Sequence, residues 1–285
     1  MAAIFITPQL AQRLERAEAQ HLARQVETYA ELYPGQRART IAIAGGMAAL
    51  TIGAFGRKLN HVTGFGLGAS ASLDELAALE AAYAAHGLAT EIDVCPYADA
   101  EALKLLAARG YSVNAFSNTY IKSLDDAGAA FHPASGVEIV HVTAENAAEF
   151  FNACVAGFSV QMQQRPLALL EALARIAMAR SDTRLYLAIV DGNVAGSAGL
   201  GLIEPEGTAV AHLYIASTLP AYRGRGIQQA LLQARLLDAQ REGFALASIT
   251  ARPSNVSARN ALRAGFELAY TKSTFVRPLH NAVQG

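Results

Sequence analysis

The chain has 285 residues, 52% hydrophobic and 16% charged, with 23 basic against 24 acidic side chains and two cysteines. That length holds one large domain or two ordinary ones, and the low charge, with alanine at roughly a fifth of all residues, excludes intrinsic disorder. A net charge of −1 lacks the basic excess of a general nucleic-acid binder, and Cys95 and Cys154 are too few for a disulfide framework or a four-ligand zinc site.

Pro8 to Tyr33 carries apolar residues at helical spacing (Leu10, Leu14, Ala17, Leu22, Val26, Tyr29) and stops at Tyr33-Pro34-Gly35, which predicts an opening amphipathic helix. Ile41 to Phe55 reads as two strands around a Gly45-Gly46 hairpin turn. The surrounding apolar run, Thr40 to Phe55, is interrupted by glycines and falls short of the ~20 residues that span a bilayer. With no secretory leader visible either, a cytoplasmic protein without a membrane partner is expected, its two thiols reduced. A helix over Asp74 to His86, a strand over Thr90 to Cys95, a helix over Asp99 to Arg109 and a strand over Asn114 to Ser123 follow. Asp125 to Gly136 has the composition of a linker.

The second half repeats that order. A strand at Val137 to Val142 precedes a helix through Phe158 and another from Pro166 to Arg180, and Leu185 to Leu200 is a hairpin turning at Asp191-Gly192-Asn193. The two halves also end alike: Gly110-Tyr111 and Gly265-Phe266 are each followed, at one fixed spacing, by a closing strand. Duplication of one unit accounts for this better than ordinary alternation of strands and helices. The expected domains are residues 1–126 and 136–285.

The chemistry concentrates in Ala209 to Leu232. A strand through Ile215 passes Pro220 into Arg223-Gly-Arg-Gly-Ile-Gln228, which opens a helix with Ile227, Ala230, Leu231, Ala234 and Leu237 on one face. Glycines at a strand-to-helix turn let backbone amides converge at the positive end of a helix, a geometry suited to a pyrophosphate. A P-loop needs Lys-Ser/Thr after its last glycine, where Ile227-Gln228 stands, and the dinucleotide fingerprint needs a third small residue where Gln229 stands.

The remaining pattern, Arg223-x-x-Gly226 between strand and helix, resembles the acyl-CoA loop of the GNAT superfamily of N-acetyltransferases, with Gln228 where that superfamily usually has Gly or Ala. Ser257-Ala-Arg-Asn260, running on to Gly265-Phe266 and a last strand, is similar to a bacterial branch with tandem GNAT domains. The resemblance implies a mixed α/β fold: two tandem domains, each a mostly antiparallel sheet with flanking helices, and a splayed parallel strand pair in the second. The first half keeps small residues around Ser70 but no arginine-glycine signature, and so resembles a degenerate copy beside a catalytic one.

The resemblance further implies acetyl-CoA as cosubstrate, held by Arg223, Gly224, Arg225, Gly226, Ile227 and Gln228, with its pantetheine along Leu213, Tyr214 and Ile215 and near Ser257 and Asn260. A small-molecule primary amine would attack the thioester directly, which requires a base and an acid. His212 is the candidate base, with Glu204 and Glu206 as rivals. Ala261, Leu262 and Arg263 stand where the family's usual tyrosine falls, so Tyr270 is the candidate acid and Tyr214 its rival. No metal is required. The oligomeric state stays open, a monomer with the first domain as internal partner being one arrangement. A non-catalytic acyl-CoA-binding or interaction module is the alternative function.

Overall fold

Contacts within the chain divide it into two units: Phe5–Asn118 with Tyr270–Gly285, and Met1–Ile4 with Thr119–Ala269. The computed structural model describes residues 4–124, 136–159, 165–204 and 209–279. The linker read at 125–136 therefore lies almost wholly outside the described residues.

The amino-terminal unit begins with α1 (Pro8–Leu32), which starts on Thr7, whose hydroxyl accepts from the Leu10 amide, with Pro8 in the first turn. The hairpin of β1 (Arg39–Ile43) and β2 (Gly46–Leu50) pairs Ile43 with Gly46. Its turn is thus Ala44-Gly45, both at positive φ, one residue earlier than the glycine pair suggested. Gly46 instead belongs to β2, where a Cβ would fall 2.6 Å from the Gly64 carbonyl carbon, so its glycine serves a close backbone approach. The second strand stops at Leu50 rather than near Phe55, and a 3-10 turn (Gly53–Leu59) leads to β3 (Val62–Thr63), two residues too short to show in a sequence pattern.

Then come α2 (Leu73–Ala84), β4 (Thr90–Val94), α3 (Ala100–Ala108) and β5 (Ser112–Ser123). β3 and β4 run parallel and share one residue pair, Val62 with Ile92. Leu50, Phe65, Leu76, Tyr83, Ile92 and Leu106 fill the core of this unit.

The carboxy-terminal unit places α4 (Ala147–Ser159) and α5 (Leu167–Ala179) between β6 (Val137–His141) and β7 (Thr183–Val190). Next are β8 (Asn193–Ile203), β9 (Val210–Thr218), α6 (Ile227–Arg241), β10 (Leu246–Ala251), α7 (Val256–Arg263) and β11 (Glu267–Arg277). β6 to β9 form an antiparallel meander, the β7–β8 turn using Asp191 and Gly192 at positive φ. Beyond it β10 lies parallel to β9, followed by the end of β5.

Both faces of this sheet are covered. Tyr186, Ala188, Leu200 and Leu213 pack with α6, while Leu185 and Leu187 pack with Phe150 and Cys154 of α4 and Ala174 of α5. Because alternate residues of β7 enter different cores, its sequence is almost continuously apolar. No helix among the described residues is long and apolar enough to cross a membrane.

The last strand is divided between the units at Ala269. Its residues Ser273 to Arg277 pair antiparallel with β4 in the amino-terminal unit. Ionic contacts anchor the strand there. Lys272, with 0% exposure, places Nζ 2.8 Å from Glu18 Oε1 and 3.4 Å from Glu15 Oε1. The Tyr270 hydroxyl donates to Glu15 (2.9 Å), the Thr274 hydroxyl to Asp93 (2.7 Å), and Arg57 also pairs with Asp93 (2.5 Å). Burial alone would lower the Lys272 pKa, but Glu15, Glu18 and Asp93 raise it above its ordinary value.

Removing the cation would leave carboxylates buried without it, which costs about 3–5 kcal/mol. Lys272→Met is accordingly expected to lower the stability of the protein by about that amount in urea denaturation. A loss under about 1 kcal/mol would show that the network is not what holds the strand.

Candidate active site

β9 and β10 pair only through Ala211 with Ala247 and His212 with Ser248; beyond those residues the two parallel strands separate. On its other side β9 carries a bulge. Gly199 pairs with Tyr214 and Ser197 with Ser217, so Ile215 and Ala216 together stand opposite Ala198. Ile215 adopts φ +47°, a left-handed conformation rare for a β-branched residue. Such bulges leave backbone groups out of the ladder and re-aim the strand. Here the distortion sits immediately beyond the point where β9 loses its pairing to β10.

Helix α4 rests on the same stretch. A Cβ at Gly157 would fall on the side chain of Ser217, whose hydroxyl lies 3.1 Å from that of Ser197 and 3.4 Å from the Ala153 carbonyl.

The strand then leads through a 3-10 turn (Pro220–Tyr222) to Arg223-Gly224-Arg225-Gly226 and α6. Gly224 and Gly226 have φ +79° and +76°, and no atom lies within 4 Å of where a Gly224 Cβ would be, so that position requires glycine for conformation rather than space. Gly226 is the N-cap, with no side chain to satisfy the first turn and no acidic residue in it. The Gln229 and Ala230 amides bond the Gly226 carbonyl, which leaves the amides of Ile227 and Gln228 at the open, positive end of the helix. Arg223 and Arg225 are exposed and enter no ion pair among the described residues. Arg225 lies over the Tyr222 ring at 5.7 Å. Free amides, two guanidinium groups outside any ion pair among the described residues and a first turn without a carboxylate fit an anion.

The start of α2 in the amino-terminal unit differs. Ser72 and Glu75 form a capping box, and Asp74 and Glu75 place negative charge in the first turn. The glycine loop before it is packed upon: a Cβ at Gly66 would approach Ala102 to 2.7 Å, and one at Gly68 would meet Gln12. There the Glu75 amide is taken by the Ser72 hydroxyl, and the two carboxylates of the first turn repel anions.

Gln228 departs from the superfamily's Gly or Ala without obstructing the loop. Its Nε2 donates to Thr218 Oγ1 at 2.8 Å, turning the side chain back to the end of β9. Gln229 similarly ties α6 to α7 by donating to the Asn260 carbonyl at 2.9 Å. Asn255 caps α7, its Oδ1 accepting from the Ala258 amide. Ser257 is exposed and Asn260 half-buried within the helix.

On β9, Leu213 packs with the α6 core, whereas Tyr214 and Ile215 pack with the α4–α5 core. Their contribution to a ligand lying along the strand would be backbone. His212 is buried, its Nδ1 3.0 Å from Ser248 Oγ and its ring 6.4 Å from that of Tyr214. The Tyr214 hydroxyl meets Thr183 Oγ1 at 3.0 Å, and burial pushes its pKa up. The loop, His212, Tyr214, Ser257 and Asn260 thus belong to one unit. Tyr270 belongs to the other, where its hydroxyl donates to Glu15 and burial pushes its pKa well up. Glu204 is exposed; Glu206 lies outside the described residues.

Arg235 carries no signal in the sequence pattern. The buried face of α6 runs through Ile227, Leu231, Arg235 and Ala239, rather than through Ala234 and Leu237, which are only half-buried. A cavity of about 400 Å³ does open beside Ala234, Leu237 and Asp238. It lies at the far end of α6, about 18 Å along the helix from Gly226, and contains none of the loop residues.

Gly157→Ala is expected to push α4 from β9 and to cost about 1–3 kcal/mol by urea denaturation, with most of the loss recovered in Gly157→Ala/Ser217→Gly. Equal losses in the single and double variants would place the fault elsewhere.

The profile of the acetyltransferase (GNAT) family matches residues 147–266. Among solved structures, a GCN5-related N-acetyltransferase from Kribbella flavida is similar over 96% of this chain and 97% of its own, with a TM-score of 0.66 and 18% identity. One from Sphaerobacter thermophilus is similar over 95% and 93%, with a TM-score of 0.58 and 16% identity. A tandem GNAT protein from the clavulanic acid biosynthesis pathway is similar over 72% and 68%, with a TM-score of 0.54 and 18% identity. At these identities the likeness is one of fold. No curated protein sequence matches the chain. The strand pair, bulge and loop described above fall within residues 147–266, the span that matches the acetyltransferase (GNAT) family.

Proposed function

We propose that residues 136–285 transfer the acetyl group of acetyl-CoA to a primary amine of a small-molecule acceptor by direct attack. The observation that carries this reading is the uncapped, doubly arginine-flanked start of α6, set at the end of a strand that has separated from its parallel neighbour. Arg223 to Gln228 would hold the pyrophosphate, and the backbone of Leu213 to Ile215 would line the pantetheine path, with Ser257 and Asn260 nearby. Acetyl-CoA supplies the activated acyl carbon, which exchanges its C–S bond for a C–N bond. In this reading His212, oriented by Ser248, takes the proton that the amine loses. Tyr270 is the assigned donor of the proton gained by the departing sulfur.

Residues 1–126, with the α2 start already capped and acidic, form a degenerate domain in this proposal, and residues 136–285 the catalytic one. Arg165 supports an acceptor that carries a carboxylate: its guanidinium lies 5.7 Å from the Phe158 ring centroid, and burial together with Arg252 lowers its pKa. Gln161, Met162, Gln163 and Gln164, which the family resemblance would put with Phe158 and Arg165 beside the acceptor, lie outside the described residues.

CoA at 100 times its dissociation constant is expected to add ~2.7 kcal/mol of stability, read as a rise in melting temperature, and Gly226→Asp to abolish the rise. A wild-type protein without a shift would remove acyl-CoA from the account. Thiol release across a panel of amino acids, polyamines, aminoglycosides and peptides then separates an enzyme from a non-catalytic binder. Tyr270→Phe is expected to lower turnover by about 100-fold at unchanged CoA affinity; unchanged turnover would assign the proton to another donor.

A further inference from the structure

Arg235 is 1% exposed and lies in the core of the carboxy-terminal unit, yet no ion pair includes it among the described residues. Its Nε donates to Leu231 O (2.9 Å), one turn back on α6, and its Nη1 to Gly199 O (3.1 Å). The same Nη1 lies 3.5 Å from Tyr214 O. Gly199 and Tyr214 are the last cross-strand pair before the bulge. They are tightly fitted: a Cβ at Gly199 would come within 2.8 Å of Ile215 Cγ2 and 3.1 Å of Tyr214 Cε1.

A buried cation without a counter-ion is costly, and an apolar residue on that face of α6 would avoid the cost. Neutral donors suffice to satisfy carbonyl groups. Burial lowers the Arg235 pKa to about 10, so the group stays protonated at neutral pH. Satisfying these carbonyls takes donors rather than charge, so the charge itself calls for a use.

The bulge supplies one. Tyr214 O and the Ile215 amide belong to the same trans peptide, so they point in opposite directions. A guanidinium group on the carbonyl side withdraws electron density from that peptide and makes the amide on its other side a stronger donor. In the function proposed above, Leu213 to Ile215 line the pantetheine path, and Ile215 ends that run where the thioester would follow.

We infer that Arg235 is a positioning residue for acyl transfer: it fixes the Gly199–Tyr214 end of the bulge and polarises the Tyr214–Ile215 peptide, whose amide stabilises the negative charge developing on the acyl oxygen. The inference rests on the acetyl-CoA reading and adds to it a source of electrostatic catalysis outside the loop and outside the proton-transfer residues.

Arg235→Lys keeps the charge with fewer donors, Arg235→Gln keeps a donor without the charge, and Arg235→Met keeps neither. CoA affinity is measured by calorimetry, turnover by thiol release, and polarisation by the carbonyl stretch of bound acetyl-CoA carrying ¹³C at the acyl carbon. Wild type is expected to shift the stretch to lower frequency than in water, and Lys to retain most of that shift. Gln and Met are expected to lose it, with turnover down about 100-fold and CoA affinity within about twofold of wild type, since the pyrophosphate cradle is untouched.

A Gln variant with wild-type turnover and stretch would overturn the inference, leaving Arg235 as a carbonyl cap, and so would a parallel loss of CoA affinity and turnover. Should Met fail to fold by circular dichroism, the Lys and Gln comparison decides. Should wild type bind no CoA, the acetyl-CoA reading falls in the first arm and this inference with it; CoA binding with no carbonyl shift overturns the inference alone.

Discussion

Two parallel strands that stop pairing after His212 and Ser248 are the feature on which the site depends. Where β9 and β10 remain together, their backbone groups satisfy one another; where they part, the edge of β9 needs a new partner. The separation is reinforced from the other side by the bulge at Ile215 and Ala216. It is also fitted to its surroundings, because Gly157 admits α4 against Ser217 and Gly199 admits the Tyr214 and Ile215 side chains. The Arg-Gly-Arg-Gly turn then delivers an uncapped helix start at the end of that strand. An extended thioester with an anionic tail matches both parts, one with strand-like backbone contacts and the other with amides and guanidinium groups.

The amino-terminal unit repeats several of these features with a differently built helix start. Its β3 and β4 are also parallel and also share little pairing, and its loop also carries glycines at positive φ. Yet the helix that follows is capped by Ser72, carries Asp74 and Glu75 in its first turn, and has its loop packed against Gln12 and Ala102. This unit also carries an ionic core, in which the fully buried Lys272 meets Glu15 and Glu18. Burial pushes both thiols, Cys95 here and Cys154 in the other unit, up to about 12, so neither is set up as a nucleophile.

Local features were legible in the sequence wherever a residue type answers to one cause. The helix starting at Pro8 follows from its capping Thr7 and apolar spacing, the Asp191-Gly192 turn from its φ requirement, and the Arg223–Gly226 loop from convergent amides. The Ala44-Gly45 turn was misjudged by one residue because Gly46 is glycine for a different reason, a close approach of backbone to Gly64. β3 was missed because two residues carry no period. Arg235 was missed because helix patterning assigns arginine to the solvent face, and the run of Ile227, Leu231 and Ala239 shows its buried position only once an arginine is allowed there. Tyr270 is the instructive case among the proposed residues. Its place in sequence is set by the last strand, but that strand divides between the units, and a hydrogen bond to Glu15 across 255 positions of sequence leaves no local signal.

The central claim is that an acyl-CoA pyrophosphate rests on the start of α6 and not on the start of α2. Backbone amide resonances followed by NMR during titration with CoA test it most directly. The account predicts saturable shifts at Gly224 to Gln228, with the amides of Ser72 to Glu75 unmoved. Shifts confined to Ser72 to Glu75, or none at Ile227 and Gln228 at a CoA concentration that saturates binding, would contradict it.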